Sequence, residues 1–231
     1  MNLVLNDIVG PVLVVAPHPD DETLGCGGLI AGLTARGVTV HTVFVTDGGA
    51  SHRQSQAWPR ERLGAAREIE ANAALSALGA GQQPRSFMRL PDAAMPKAGT
   101  PAYDAAIAEV MALIDALQPS HVVLPWRRDP HCDHRDSWTL FTRALQQSGC
   151  TAEVLEYTIW LDELGAPEDF PQAGEVQKVE LDVAAFLDAK RRAILEHKTQ
   201  LGGLISDDPD GFYLTPETLN RLLKPVEIFW R

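Results

Sequence analysis

Val12–Gly28 reads VLVVAPHPDDETLGCGG, and its first five residues decide the fold. Val12 to Ala16 is a short apolar run rich in β-branched side chains, without polar alternation. That is the pattern of a strand buried on both faces in a parallel sheet. The run stops at Pro17, and His18, Pro19, Asp20, Asp21 and Glu22 follow before a helix carrying Leu24, Leu29, Ile30 and Leu33. An imidazole and three acids therefore sit at the carboxyl end of a buried strand, where open α/β sheets build their ligand crevices. Three adjacent carboxylates repel one another. A divalent cation bound by one of them and by the imidazole relieves that repulsion; the alternative is a solvated acidic turn capping the helix.

Outward from this unit the pattern repeats. Gly37 ends the first helix, and Val38–Val45 is a second strand closed by Thr46-Asp47-Gly48-Gly49. Residues 50–59, ASHRQSQAWP, are polar and irregular, a mobile loop beside the site. Arg60–Leu78 is a helix stopped by Gly79, and Ser86–Leu90 is a third strand followed by Pro91-Asp92. Pro101 opens a helix that Pro119 closes. His121–Trp126 is a fourth strand, shortened by Pro125. The last third is less regular: strands at Val154–Trp160 and Val176–Leu181, an amphipathic helix at Ala184–Lys198, a loop over 202–211, a short helix at Pro216–Leu223 and a strand at Val226–Trp230. Strands alternating with helices predict right-handed βαβ units, hence an α/β, Rossmann-like three-layer sandwich with a mainly parallel sheet. No repeat or linker divides the chain, so residues 1–231 are expected to form one domain.

Composition narrows the partners. Apolar residues make up 45% and charged residues 22% of the 231, which suits a globular chain rather than a disordered one. The net charge of −11 argues against nucleic acid and anionic membranes as partners, since both want a basic face. No apolar run approaches transmembrane length and no secretory signal is visible, so no membrane insertion is expected. Cys26, Cys132 and Cys150 are odd in number and widely spaced, as in a reduced, cytoplasmic protein. Cys26 and Cys150 are read as small buried apolar residues. Trp58 and Trp126 are read as loop anchor or core, in preference to sugar-stacking platforms.

A second polar cluster follows the fourth strand: Asp129-Pro130-His131-Cys132-Asp133-His134, opening a helix with Trp138, Phe141 and Leu145. In a parallel sheet both strand ends lie on the same side, so His18, Asp21 and one of these histidines can converge. Three nitrogen or oxygen ligands with an open position is the arrangement of a catalytic zinc.

On these residues the sequence resembles the PIG-L/LmbE-like family of zinc-dependent N-deacetylases. The resemblance rests on Ala16–Glu22 (APHPDDE, where the family usually reads AHPDDE) and Asp129–His134 (DPHCDH). Thr46-Asp47-Gly48, Arg67-x-x-Glu70 with Leu78-Gly79, and Leu90-Pro91-Asp92 support it; Lys190, His197 and Gln200 fit a looser pattern further on. Pro17 is extra, and Cys132 stands where the family usually has Pro. The resemblance implies that His18, Asp21 and His134 hold one zinc per chain, with other divalent metals as alternatives. It implies Asp20 as general base, and His131 as oxyanion stabiliser or proton donor to the leaving amine, a charged donor if protonated. It further implies Arg67 and Asp92 as substrate contacts, although Arg67 is equally readable as a helix-surface partner of Glu70 and Asp92 as a turn residue. Asp129 or Asp133 is expected to orient a histidine through its second nitrogen.

The expected activity is removal of an acyl group, an acetyl above all, from an amide nitrogen of an N-acetylated amino sugar or its small-molecule conjugate. Hydrolysis of another amide or ester, or a non-catalytic metal- or sugar-binding module, is the alternative. The family contains monomers and larger rings, so a homo-oligomer is left open. A dinucleotide-binding reading of Gly25-Cys26-Gly27-Gly28 fails, because the frame needs a small residue at Ile30 and the acids before it would repel pyrophosphate. A phosphoesterase would add ligands for a second metal.

Overall fold

The computed structural model describes residues 2–231. Strands β1 (Asn2–Leu3), β2 (Val12–Ala16), β3 (Val40–Thr46), β4 (Arg85–Leu90), β5 (His121–Pro125), β6 (Glu153–Tyr157), β7 (Lys178–Asp182) and β8 (Val226–Trp230) join in one sheet of order β1-β7-β8-β6-β5-β2-β3-β4. Every pairing is parallel except those of β8, which runs against both β6 and β7. The helices are α1 (Asp21–Ala35), α2 (Arg60–Ala77), α3 (Pro101–Leu117), α4 (Cys132–Ser148), α5 (Leu161–Leu164), α6 (Leu187–Ile194) and α7 (Pro216–Leu222).

The pleat of β2 explains the three layers. Val12, Val14 and Ala16 point to one face and pack with Leu29, Leu33, Ala71, Ala74 and Ala193, which belong to α1, α2 and α6. Leu13 and Val15 point to the other, against Ile107, Val110, Leu140 and Phe141 of α3 and α4. All five β2 residues are fully buried, as a central parallel strand requires. The expected Rossmann-like three-layer sandwich is therefore the observed one.

β2 pairs with β3 on one side and with β5 on the other. The chain winds outward from β2 through β3 to β4, then returns to β5 and winds the other way to β6. The strand order thus reverses between β2 and β5, and a crevice opens there at the carboxyl ends. Both polar motifs follow these two strands.

Several elements depart from the sequence reading. Ala184–Lys198 is not one helix: α6 occupies only Leu187–Ile194, with 3-10 turns at Ala184–Phe186 and Lys198–Gln200. The chain turns after Ile194, where the backbone N–H of His197 donates to the Ile194 carbonyl at 3.1 Å, and this swings His197, Thr199 and Gln200 into the interior. The strand expected to run to Trp160 stops at Tyr157 because the Asp129 carboxylate collects the N–H groups of Ile159 and Trp160. Residues 50–59 are tied down by two acids: Asp207 accepts from the Ser55 hydroxyl and from the N–H groups of Gln56 and Ala57, and Asp208 from that of Gln54.

The glycines of α1 are packing devices. A Cβ on Gly25 would lie 2.2 Å from the Tyr157 ring, and one on Gly28 would lie 2.4 Å from the Val183 side chain. They let β6 and the segment before α6 close on the helix, which accounts for them without any phosphate ligand.

Candidate active site

The turn from β2 into α1 is locked by its own side chains. The Asp21 carboxylate accepts the His18 backbone N–H at 2.9 Å, and the same oxygen lies 3.2 Å from His18 Nδ1. Asp20 has φ 154°, a strained backbone for a residue with a side chain. Its N–H donates to Glu22 Oε2 at 3.0 Å, which holds that conformation. Neighbouring side chains then diverge: Asp21 faces the histidines, whereas Asp20 Oδ2 faces Arg67 Nη2 at 3.0 Å.

From β5 the second motif enters at the start of α4. Asp21 Oδ2, already beside His18, is also 3.2 Å from His134 Nε2. His134 is fully buried, and neither of its ring nitrogens makes an aligned hydrogen bond. Two unsatisfied nitrogens in a buried imidazole are costly unless something else takes a lone pair. His18, His131 and His134 can each present a nitrogen within 4.8 Å of the others. A buried set of imidazole and carboxylate donors with an orphaned nitrogen fits a divalent, nitrogen-accepting metal such as zinc.

The structure separates the two aspartates whose roles spacing left open. Asp129 Oδ1 lies 3.4 Å from His134 Nδ1, while its other oxygen gathers backbone N–H groups. Asp133 instead reaches His18 Nε2 at 3.0 Å and accepts from the Ala93 N–H. Neither carboxylate touches the His131 ring; His131 Nδ1 accepts the Asp133 backbone N–H at 3.2 Å, so its proton sits on Nε2. Cys132 is exposed, burial and Asp133 push its thiol up, and its sulfur lies within 4.8 Å of donor atoms of His131 and Asp133.

Arg67 and Asp92 both point into the crevice. Arg67 is 3% exposed and donates to the carbonyls of Gly48 and Pro19 at 2.9 Å each, beside its pair with Asp20. Its Glu70 alternative fails, since Glu70 is occupied by Thr199. Gly48, at φ 61°, leaves the room that Arg67 uses: a Cβ there would meet Arg67 Nη1 at 2.8 Å. Asp92 Oδ1 is 3.4 Å from His18 Nε2, and Oδ2 accepts the Ala50 N–H.

The electrostatics follow from burial and crowding. Burial pushes the Asp20 carboxyl up to about 6, with Arg67 pulling the other way and Asp21 adding to the rise. Burial would lower His134, but Asp21 and Asp129 outweigh it and raise the imidazole to about 9. Burial, then the charges of His18 and His134, pushes His131 down to about 4, so it offers a neutral N–H rather than the charged donor expected. Asp20 and His131 line the same cavity.

Two residues left without a role by the sequence reading join the site. His197 lies 3.4 Å from Glu22 Oε1 and 3.3 Å from the Thr23 hydroxyl, backing the carboxylate that holds Asp20. Gln200 donates to the Ser51 hydroxyl at 3.2 Å. Their spacing from Lys190 was the available signal. Trp160 and Phe212, on the cavity wall, had none. The cavity has a volume of about 520 Å³, with His18, Asp20, Asp21, Arg67, Asp92 and His131 at its polar end.

Residues 13–145 match the model of the PIG-L family, described as GlcNAc-PI de-N-acetylase. The chain belongs to this family. It is an N-deacetylase, an amidohydrolase. A 1D-myo-inositol 2-acetamido-2-deoxy-alpha-D-glucopyranoside deacetylase of Rhodococcus jostii (strain RHA1) is 32% identical over 239 residues, spanning 82% of this chain and 81% of that one. Among solved structures, the N,N'-diacetylchitobiose deacetylase of Pyrococcus horikoshii superposes with a TM-score of 0.67 at 22% identity, covering 86% of this chain and 73% of that one. The zinc-inhibited form of the teicoplanin deacetylase Orf2 gives 0.67 at 19% identity, covering 95% and 97%. At those identities the structures speak for the fold. No helix among the described residues is long and apolar enough to cross a membrane.

Proposed function

We propose that this chain, acting as a single domain over residues 1–231, removes the acetyl group from the nitrogen of an N-acetylated amino sugar or its small-molecule conjugate. His18, Asp21 and His134 would hold one zinc ion; when bound, zinc polarises the amide carbonyl and lowers the pKa of a water. The observation that carries this reading is Asp21 Oδ2, seated 3.2 Å from both His18 Nδ1 and His134 Nε2 at the reversal of strand order.

The remaining roles fall to this chain's own groups. Asp20, held by Arg67 and poised near neutrality, takes the proton of the attacking water and delivers it to the leaving amine. His131 donates its Nε2–H to the oxygen that gains charge as the carbonyl becomes tetrahedral. Asp129 and Asp133 hold His134 and His18 in place. Arg67 and Asp92 line the cavity where sugar hydroxyls would lie. The names of the similar proteins supply the substrate class.

The test is a panel of N-acetylated amino sugars and N-acetyl amino acids, scored for released amine by the zinc-loaded and the chelated protein. Release from the sugars alone, lost on chelation and restored by zinc, is expected. Release from the amino-acid conjugates alone would overturn the substrate class, and chelator-insensitive release would overturn the metal.

A further inference from the structure

We propose that His197 positions the general base: acting through Glu22, it holds Asp20 in the backbone conformation that keeps the Asp20 carboxylate off the helix and on the cavity. This rests on the reading of Asp20 as base given above and adds what puts that base in place.

Asp20 is the N-cap of α1, and its carbonyl accepts the N–H groups of Thr23 and Leu24 at 3.0 and 2.9 Å. An aspartate at that position ordinarily folds its carboxylate onto N–H groups of the first turn, which is why the residue is common there. Here the side chain makes no capping bond. With φ at 154° it is turned instead to Arg67 and the cavity. That conformation is strained, so an unrestrained Asp20 would relax into ordinary capping, and a carboxylate spent on the helix is not free to take a proton from water. What opposes the relaxation is the bond from the Asp20 N–H to Glu22 Oε2.

Glu22 is fully buried, and its direction is set by the partners of its other oxygen. Oε1 accepts the Thr23 hydroxyl at 2.8 Å and lies 3.4 Å from His197 Nε2. Thr23 is the next residue on the same turn and moves with Glu22. Among the described residues, His197 is therefore the one partner that ties Glu22 to a distant part of the chain. The Thr23 hydroxyl has a single proton and gives it to Glu22, so His197 Nε2, 3.3 Å from that hydroxyl, is a donor. His197 Nδ1 is buried without a hydrogen bond, which leaves the polar contacts of the ring on the Glu22 side.

An anchor must itself be fixed. The turn that carries His197 is tied to α2 by Thr199, whose N–H and hydroxyl donate to Glu70 at 2.9 and 2.7 Å, and to the loop after β3 by Gln200, which donates to the Ser51 hydroxyl. Glu70 lies about one turn along α2 from Arg67, the residue that pairs with the Asp20 carboxylate. The same stretch of chain thus backs both grips on Asp20, on its backbone through Glu22 and on its side chain through α2.

The experiment measures zinc content, melting temperature and the steady-state kinetics of acetate release from N-acetylglucosamine by the zinc-loaded full chain. His197→Leu should keep its zinc and its KM and lose kcat by about 10–100-fold, the range for outer partners that orient the groups of a metal site. His197→Gln, whose side-chain amide can place an N–H where Nε2 stands, should recover most of that loss. In an Asp20→Asn background His197→Leu should cost nothing further, because the two residues act as a unit. Thr23→Val, which removes the hydroxyl that shares Glu22 Oε1, should lower kcat at constant KM and carries the test if His197→Leu does not fold. An unchanged kcat in folded His197→Leu, or in Thr23→Val where His197→Leu fails to fold, overturns the inference. So does loss of zinc in place of kcat, no recovery in His197→Gln, or a full additional loss in the Asp20→Asn background. Unimpaired turnover by Asp20→Asn would instead overturn the reading of the base on which the inference rests.

Discussion

Asp20 and Asp21 are adjacent, identical in composition and opposite in environment. Asp21 touches two histidines, while Asp20 is held away from them by Arg67. Asp20→Asn should therefore keep its zinc and lose kcat by ~10²–10⁴-fold with little change in KM, as removal of a general base does. Asp21→Asn should weaken zinc binding, and added zinc should partly restore its activity. Metal content and steady-state kinetics of the two variants, measured side by side, check this; a metal-free Asp20→Asn beside a fully loaded Asp21→Asn would reverse the assignment. Cys132 illustrates the opposite case. Its thiol is exposed and lies within 4.8 Å of donor atoms of His131 and Asp133, yet His18, Asp21 and His134 supply three nitrogen and oxygen donors without it, so Cys132→Ser should leave the zinc stoichiometry unchanged, and loss of zinc in that variant would make the thiolate a ligand. Cys132 is the first residue of α4, a position that proline tolerates, which accounts for the proline usual there in the family.

At the scale of elements, α1 does two jobs. Its N-terminus carries Asp21, and its glycine-rich middle admits close neighbours. The N–H groups of Gly28 and Leu29 donate to Glu227 of β8, which also pairs with the buried Lys190 of α6 at 2.7 Å. Helix propensity alone would make Gly28→Ala stabilising by about 1 kcal/mol. The added methyl, however, falls 2.4 Å from Val183 Cβ, a backbone-proximal atom that cannot swing aside. Overpacking should win, with a net loss of about 1–3 kcal/mol in denaturant unfolding. A more stable Gly28→Ala would show that the contact between α1 and the segment before α6 is looser than drawn.

For the whole molecule, the buried site couples stability to pH in a way that depends on the metal. Without metal, His134 is held at about 9 against an ordinary 6.5 by Asp21 and Asp129 acting against burial. A raised folded value contributes stability that is fully present below about 6.5 and is lost as pH rises through 9. Asp129 is shifted the other way: burial opposes its charge, but His134 and backbone N–H groups hold it below 3.8. Its contribution is present above about pH 4 and disappears as pH falls further. The chelated protein should therefore melt at progressively lower temperature from pH 6.5 to 9, while the zinc-loaded protein, in which His134 would be a neutral ligand as proposed above, should not show that decline. A chelated protein with a flat or rising melting temperature over that range would show that Asp21 and Asp129 do not hold His134 protonated when no metal is bound.

The sequence by itself determined the β2–α1 unit, the parallel alternation through β6, and the two polar motifs at strand ends. These are recorded locally: buried strands show as apolar β-branched runs, and chemistry that needs a turn between strand and helix keeps its residues within six positions of one another. What only the tertiary structure decided are the questions of direction across long stretches of chain. Arg67 turns toward Asp20 rather than Glu70 because Gly48 leaves it a channel. Asp129, before α4, lies beside His134, while Asp133, in its first turn, reaches across to His18 at the end of β2, a partition that spacing within the motif leaves open. The expected helix over 184–198 breaks because burying His197 beside Glu22, and Thr199 against Glu70, fills places that a continuous helix would carry past. The aromatic wall of Trp160 and Phe212 joins residues fifty-two positions apart in irregular segments, where no periodicity exists to announce which side chains will meet.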